Sequence, residues 1–183
     1  ELLALQLWAR RRRRAREALP APDLSAGRAQ QAAFVAALPF ALTAAQARCV
    51  AEITADLCRG VPMSRLLQGD VGSGKTAVAG AAVALCAGAG RQAAVMAPTE
   101  ILAEQHLRGL GRTLAAVGFR SFDATDGGDG PTFARLVGSM KAADKAAVAA
   151  GLASGAIDVV IGTHALIQAR VSFARLGLAV VDE

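Results

Sequence analysis

Residues Gly69 to Thr76, Gly-Asp-Val-Gly-Ser-Gly-Lys-Thr, constrain this chain more than any other stretch. They fit the spacing G-x-x-x-x-G-K-[ST] of a loop that cradles phosphate. Apolar Leu66-Leu67 precede the loop as a short buried strand would, and the alanine-rich run Ala77 to Ala87 follows it as a helix packed on a sheet would. Each position has a chemical reason. Gly69, Gly72 and Gly74, with Asp70 and Ser73 between them, let the backbone turn tightly, so that successive N–H groups point into one anion-sized hollow. The helix that follows adds the positive end of its dipole. Lys75 reaches the β- and γ-phosphates as a point charge, and the Thr76 hydroxyl is placed to ligate Mg²⁺. The competing account is a glycine-rich turn with a chance Lys-Thr, and the strand and helix context weighs against it. The expected ligand is a nucleoside triphosphate, ATP, with Mg²⁺.

A chain of 183 residues is one ordinary domain with some excess. Hydrophobic residues make up 54% of it. Even so, Gly, Arg or Asp interrupts the apolar runs within about ten residues, which is too short to span a bilayer. No membrane partner is expected. The chain opens inside a helical pattern without an initiator Met and places its arginines after the apolar residues, the reverse of a secretory signal. Its start is taken as a cut into a longer protein. Cys49, Cys58 and Cys86 lack metal spacing and are expected as reduced, buried thiols in a cytoplasmic protein. The net charge of +5 is uneven: residues 1–37 hold seven Arg against three acids, and the remainder is nearly balanced.

Taken in order, Leu2, Leu3, Leu5, Leu7 and Trp8 crowd one end of a predicted helix that runs into Arg10 to Arg14 and Arg16. Such a run is either a solvated face or a nucleic-acid contact. Pro20 and Pro22 begin a linker through Gly27, and a short helix is expected over residues 28–37. Thr43-Ala-Ala-Gln46 is a capping box that opens a helix with Gln46, Val50, Ile53 and Leu57 on one face. Beyond the loop helix, residues 92–97 read as a strand. Thr99 caps the next helix, whose stripe is Ala103, Leu107, Leu110, Leu114 and Val117. A strand beginning at Phe119, a flexible loop over residues 123–131, a helix over 141–152, and strands over 157–161 and 178–181 complete the pattern. Strands alternating with helices after a phosphate loop indicate an open parallel α/β sheet with ligands at the carboxyl ends of its strands. The last strand ends in Asp182-Glu183, two carboxylates at that rim: one suits the metal shell, the other the attacking water. An Asp-Glu pair can also simply end a strand at the surface.

Four stretches follow one another in a familiar order. Gly69 to Thr76, Ala97-Pro-Thr-Glu-Ile-Leu-Ala-Glu-Gln-His106, Gly162-Thr-His-Ala-Leu-Ile-Gln168 and Val180-Val-Asp-Glu183 together resemble the first motor domain of superfamily 2 helicases, in particular the RecG family of ATP-dependent DNA helicases. Leu38-Pro-Phe-Ala-Leu-Thr-Ala-Ala-Gln46 resembles that family's adenine-side motif, and residues 1–37 more weakly resemble a helical connector and linker. The resemblance implies a P-loop, RecA-like motor domain over residues 38–183, truncated at the Asp-Glu box. It assigns Gln46 to the adenine edge, Lys75 to phosphate, Thr76 and Asp182 to Mg²⁺, and Glu183 to water. Pro98, Thr99, Gly138, Ser139, Gly162, Thr163 and His164 fall where the family contacts a DNA strand. Helix starts and hydroxyls of that kind hold phosphates without reading bases.

The implied activity is ATP-driven remodelling of branched DNA by a monomeric, bacterial, nucleoid-associated translocase with a second motor domain in the same chain. The nearest alternative is the transcription-repair coupling translocase. A small-molecule kinase would need a lid that does not follow the loop, and a non-catalytic fragment would not retain Lys75, Thr76, Asp182 and Glu183. Two features depart from the family. Val137 stands before Gly138-Ser139 where the family has Thr, and the loop over residues 123–131 resembles an insertion. The family also places a further strand between the Asp-Glu strand and the loop strand. Without it, a gap in the sheet, low stability and little ATPase activity are expected.

Overall fold

The computed structural model describes residues 2–122, 130–168 and 171–182. Five strands, β1 (Gln92–Met96), β2 (Arg120–Ser121), β3 (Thr132–Leu136), β4 (Val159–Gly162) and β5 (Leu176–Val181), form one sheet in the order β2-β3-β4-β1-β5. All pairs are parallel. The six helices are α1 (Leu2–Glu17), α2 (Arg28–Ala36), α3 (Ala44–Leu57), α4 (Lys75–Gly88), α5 (Glu100–Ala116) and α6 (Ala142–Ser154).

The strands alternate between two cores because successive side chains leave opposite faces. Ala93, Val95, Val159 and Ile161 face a core shared with Phe34, Leu57, α4, Leu110 and Leu114. Ala94, Ala134, Leu136 and Val160 face the other core, with Val148 and Leu152 of α6. The result is three layers, α/β/α, with an open RecA-like parallel sheet in the middle.

Small residues set the packing of α4. A Cβ added at Gly27 would lie 1.8 Å from the Leu85 carbonyl oxygen, and one at Gly80 would lie 2.5 Å from the Phe34 ring. The alanine-rich composition therefore lets α2 and the sheet close on α4 from both sides, and a helix covered all round needs no polar face. One buried polar group is shared there: Gln31 of α2 donates to Thr54 Oγ1 of α3 at 2.8 Å and to the Ala81 carbonyl of α4 at 3.2 Å. Leu24 of the linker and Phe34 of α2 are buried in the same core as residues 81–87, Ala93 and Val95.

Several expectations need correction. Leu66-Leu67 forms no strand; Leu66 is 88% exposed. A parallel strand exists only through pairing, and β5, the last strand in the order, is not paired with this stretch. β3 was not anticipated at all. Cys86 is buried, but Cys49 and Cys58 are only half-buried. Glu183 and residues 123–129 of the expected loop lie outside the described residues. On α1, Leu3, Leu7 and Trp8 are exposed, as are Arg10, Arg11, Arg12 and Arg14, and the Arg12 guanidinium stacks 4.5 Å from the Trp8 ring centre. No helix among the described residues is long and apolar enough to cross a membrane.

Candidate functional site

The parallel register brings the turns of interest to one rim. Met96 pairs with Gly162 and Val181, and Gly162 pairs with Leu136, so four strands end on one row. The residues just beyond that row are Pro98-Thr99, Gly138-Ser139, Thr163-His164 and Asp182. Helix α4 ends at the start of β1, where Cys86 Sγ donates to the Gln92 carbonyl, and packs on β1 and β5. A helix that ends at the start of a strand it packs on runs back along it, so α4 begins toward the carboxyl side of the sheet.

The phosphate loop is shaped by glycine and held by its neighbours. Gly72 and Gly74 both have φ of +78°, and Ser73 N–H closes a turn onto the Asp70 carbonyl at 3.1 Å. Lys75 Nζ donates back to the Gly69 and Asp70 carbonyls at 2.7 and 2.9 Å. Gln46 uses both ends of its amide. The oxygen accepts from Thr43 N–H at 2.8 Å to complete the capping box, and the nitrogen donates to the Ser73 carbonyl at 2.8 Å. On the approach to the loop, Arg65 pairs with Asp56 at 2.6 Å and with Glu52 at 2.8 Å. The Arg65 hydrogen bond holds the Asp56 carboxyl below its ordinary value.

The donor set fits a nucleoside triphosphate with its magnesium ion. Gly74 caps α4 with no side-chain hydrogen bond, and the Ala77 N–H already donates to the Gly74 carbonyl at 3.0 Å, so the Lys75 and Thr76 amides are the ones suited to an external anion. Thr76 is exposed and lines a cavity of about 440 Å³ together with Phe34, Leu38, Phe40, Arg112 and Thr113.

Around the rim, Thr99 caps α5, its side chain accepting from Leu102 N–H at 3.3 Å. Glu100 in the first turn accepts from Ser139 N–H at 2.9 Å and from Ser139 Oγ–H at 2.5 Å. These bonds, with the Gly138 amide and nearby Arg135, hold its carboxyl below the ordinary value. Lys145 Nζ donates to the Gly138 carbonyl. The structure thus joins Thr99 to Gly138-Ser139 through Glu100. Val137, buried at 2% exposure, points into the core. Gly162 is required by close approach, since a Cβ there would lie 2.0 Å from the Leu136 carbonyl oxygen. Thr163 is buried, with its hydroxyl unpaired among the described residues, whereas His164 is exposed at the start of a short 3₁₀ turn. Of these two, only His164 presents a side chain to solvent.

One functional neighbour escaped the sequence reading. His106 Nε2 lies 2.6 Å from Asp182 Oδ2, with the imidazole 14% and the carboxylate 35% exposed. Spacing could not reveal this pair, because 76 residues separate its members.

Residues 43–183 match the family model described as DEAD/DEAH box helicase. The chain is 45% identical over its full length to the ATP-dependent DNA helicase RecG of Acidithiobacillus ferridurans, covering 25% of that protein. It is 49% identical over 146 residues to the RecG of Streptococcus pneumoniae, covering 80% of the chain and 20% of the relative. It also resembles, with a TM-score of 0.85 and 41% identity, a solved structure of RecG bound to a three-way DNA junction; the match covers all of this chain and 23% of that one. The chain therefore spans about a fifth to a quarter of the length of these relatives.

Proposed function

The chain belongs to the DEAD/DEAH box helicase family, and from that premise we propose that it is the ATP-binding part of a DNA helicase that remodels branched DNA. The observation that carries the proposal is the single rim on which Asp182 and the Thr99 and Ser139 turns stand together, with α4 packed on β1 and β5 and ending at the start of β1. The same edge of the sheet then serves nucleotide on one side and the DNA backbone on the other.

In this reading the first-turn amides of α4 and Lys75 hold the phosphates. Lys75 leaves the Gly69 and Asp70 carbonyls to do so, exchanging two neutral acceptors for charged ones, which makes stronger bonds. Thr76 and Asp182 hold the magnesium ion, and Glu183 orients the attacking water. The ion, when bound, neutralises charge on the phosphates. Gln46 turns its amide nitrogen from Ser73 to the adenine edge while its oxygen stays on the helix cap. Pro98, Thr99, Gly138, Ser139, Gly162 and His164 meet the DNA backbone. Thr163 supports that surface from beneath through its backbone, since Leu166 N–H donates to its carbonyl at 2.9 Å. A second motor domain supplies an arginine to the phosphates, a group worth about 10³–10⁵ in rate in comparable NTPases. The protein works as a monomer on the bacterial chromosome.

The test is ATP turnover by the full-length protein with and without a three-way DNA junction. Turnover rises with the junction, and Lys75→Ala reduces it at least about a hundredfold by removing transition-state charge stabilisation. Turnover by Lys75→Ala at the wild-type rate would sink the proposal.

A further inference from the structure

Helix α5 makes polar contacts at both ends of the rim. Its first turn holds the β3 side through Glu100, which takes both the N–H and the hydroxyl of Ser139. One turn on, Glu104 Oε2 accepts from Arg135 Nη1 of β3 at 2.9 Å. At the β5 side, His106 meets Asp182. The strand order puts β4 and β1 between β3 and β5, a span of roughly 14 Å at the usual strand spacing. No strand pairs with both. From Glu100 to His106 the helix rises about 9 Å, and the two long side chains cover the rest. The helix is also stiff: Ala103, Leu110 and Leu114 are buried along it, and Thr99 caps its start.

From this arrangement we propose that His106 positions the Asp182 carboxylate, and that α5 passes to it the state of the Gly138-Ser139 turn as held by Glu100. This rests on the nucleotide and DNA reading given above. Among the described residues Asp182 follows the last paired residue of β5 and is held to the strands by a backbone bond from its own N–H to the Met96 carbonyl at 2.8 Å. Its side chain is more than a third exposed, so rotation about χ1 and χ2 is limited chiefly by the imidazole. With His106 on Oδ2, the carboxylate is oriented and its Oδ1 would be the atom free to meet the ion. Outer partners of ligating groups are typically worth about 10–100-fold in metal affinity. At the other end, Ser139 spends its two donors on a carboxylate, and a DNA phosphate would take the same two donors. Phosphate and Glu100 therefore compete, and when phosphate wins the displaced Glu100 is on the helix that carries His106.

The experiment uses the full-length protein with His106→Leu, His106→Gln, Glu100→Gln and the double variant His106→Leu/Glu100→Gln. Two quantities are read: the Mg²⁺ dependence of binding of a fluorescent ATP analogue, and the stimulation of turnover by a three-way junction. His106→Leu raises the Mg²⁺ needed for half-maximal binding by about 10-fold or more and removes most of the stimulation. His106→Gln, which keeps a donor near the Nε2 position, recovers the larger part of both. Glu100→Gln alters stimulation when His106 is present and has no further effect in the double variant. If His106→Leu does not fold, His106→Asn replaces it, because its shorter amide cannot reach Asp182 as Gln does. Wild-type Mg²⁺ dependence in the donor-less variant, no rescue by Gln, or additive losses in the double variant each overturn the assignment. Wild-type protein that neither binds nor hydrolyses ATP overturns the nucleotide reading, and this inference with it.

Discussion

At Gly74 two constraints meet, a φ of +78° and a neighbour that would have to move, since a Cβ there would lie 2.3 Å from Gln46 Nε2. Gly72 has the same φ with open space around it. Gly72→Ala should therefore cost only the left-handed strain, about 1–2 kcal/mol, while Gly74→Ala should cost more and displace Gln46 from Ser73. Thermal unfolding of the two variants checks this, and equal losses would contradict the packing argument. The thiols differ in the same local way. Burial pushes Cys86 up to about 12, so it stays neutral and enclosed. A thiol reagent at mildly alkaline pH should label Cys49 and Cys58 in the native protein and reach Cys86 only on unfolding, which peptide mapping would show. Glu100 adds a pH signature. Its folded value lies below the unfolded one, so its contact with Ser139 is fully present above the ordinary glutamate range and is lost as pH falls through the lowered value. Exchange of the Ser139 amide proton should accelerate across that acidic window in the wild type but not in Glu100→Gln.

Elements owe their positions to a few close approaches. Gly27 touches the Leu85 carbonyl and Gly80 the Phe34 ring, so α2 lies on α4 nearly backbone to backbone. Gly27→Ala forces a Cβ against backbone that cannot rotate away, and a loss of about 1–3 kcal/mol or more is expected from such overpacking. Phe34→Ala empties a site with 0% exposure and should cost about 3–5 kcal/mol. Denaturant unfolding measures both, and a neutral Gly27→Ala would mean that α2 does not pack as described. The alanine-rich run, the capping box at Thr43 and Gln46 and the α5 stripe were legible because each is a local pattern with the helical period. β3 was not legible. Its five residues, Thr-Phe-Ala-Arg-Leu, mix polar and apolar types, and its place is set by pairing with β4, 26 residues away at Phe133↔Val159. Leu66-Leu67 failed in the opposite sense: an apolar pair looked like a strand, and none of the strands among the described residues pairs with it.

For the whole molecule, the proposed function makes the chain one side of a nucleotide site, on a sheet whose last strand among the described residues is β5. A polypeptide of residues 1–183 should turn over ATP at least about 10³ times more slowly than the full-length protein, the contribution of one arginine in comparable NTPases. A coupled ATPase assay on both decides it, and similar rates would show that the site needs no second domain. The sequence alone determined the phosphate loop, the layered α/β class and the order of the rim motifs, because these depend on residue type at short spacing. Tertiary structure alone decided that Glu100 occupies Ser139, that Thr163 is buried while His164 is exposed, and that His106 meets Asp182. Those contacts join residues dozens of positions apart, and only the parallel register, which ends four strands on one row, brings them within a hydrogen bond of each other.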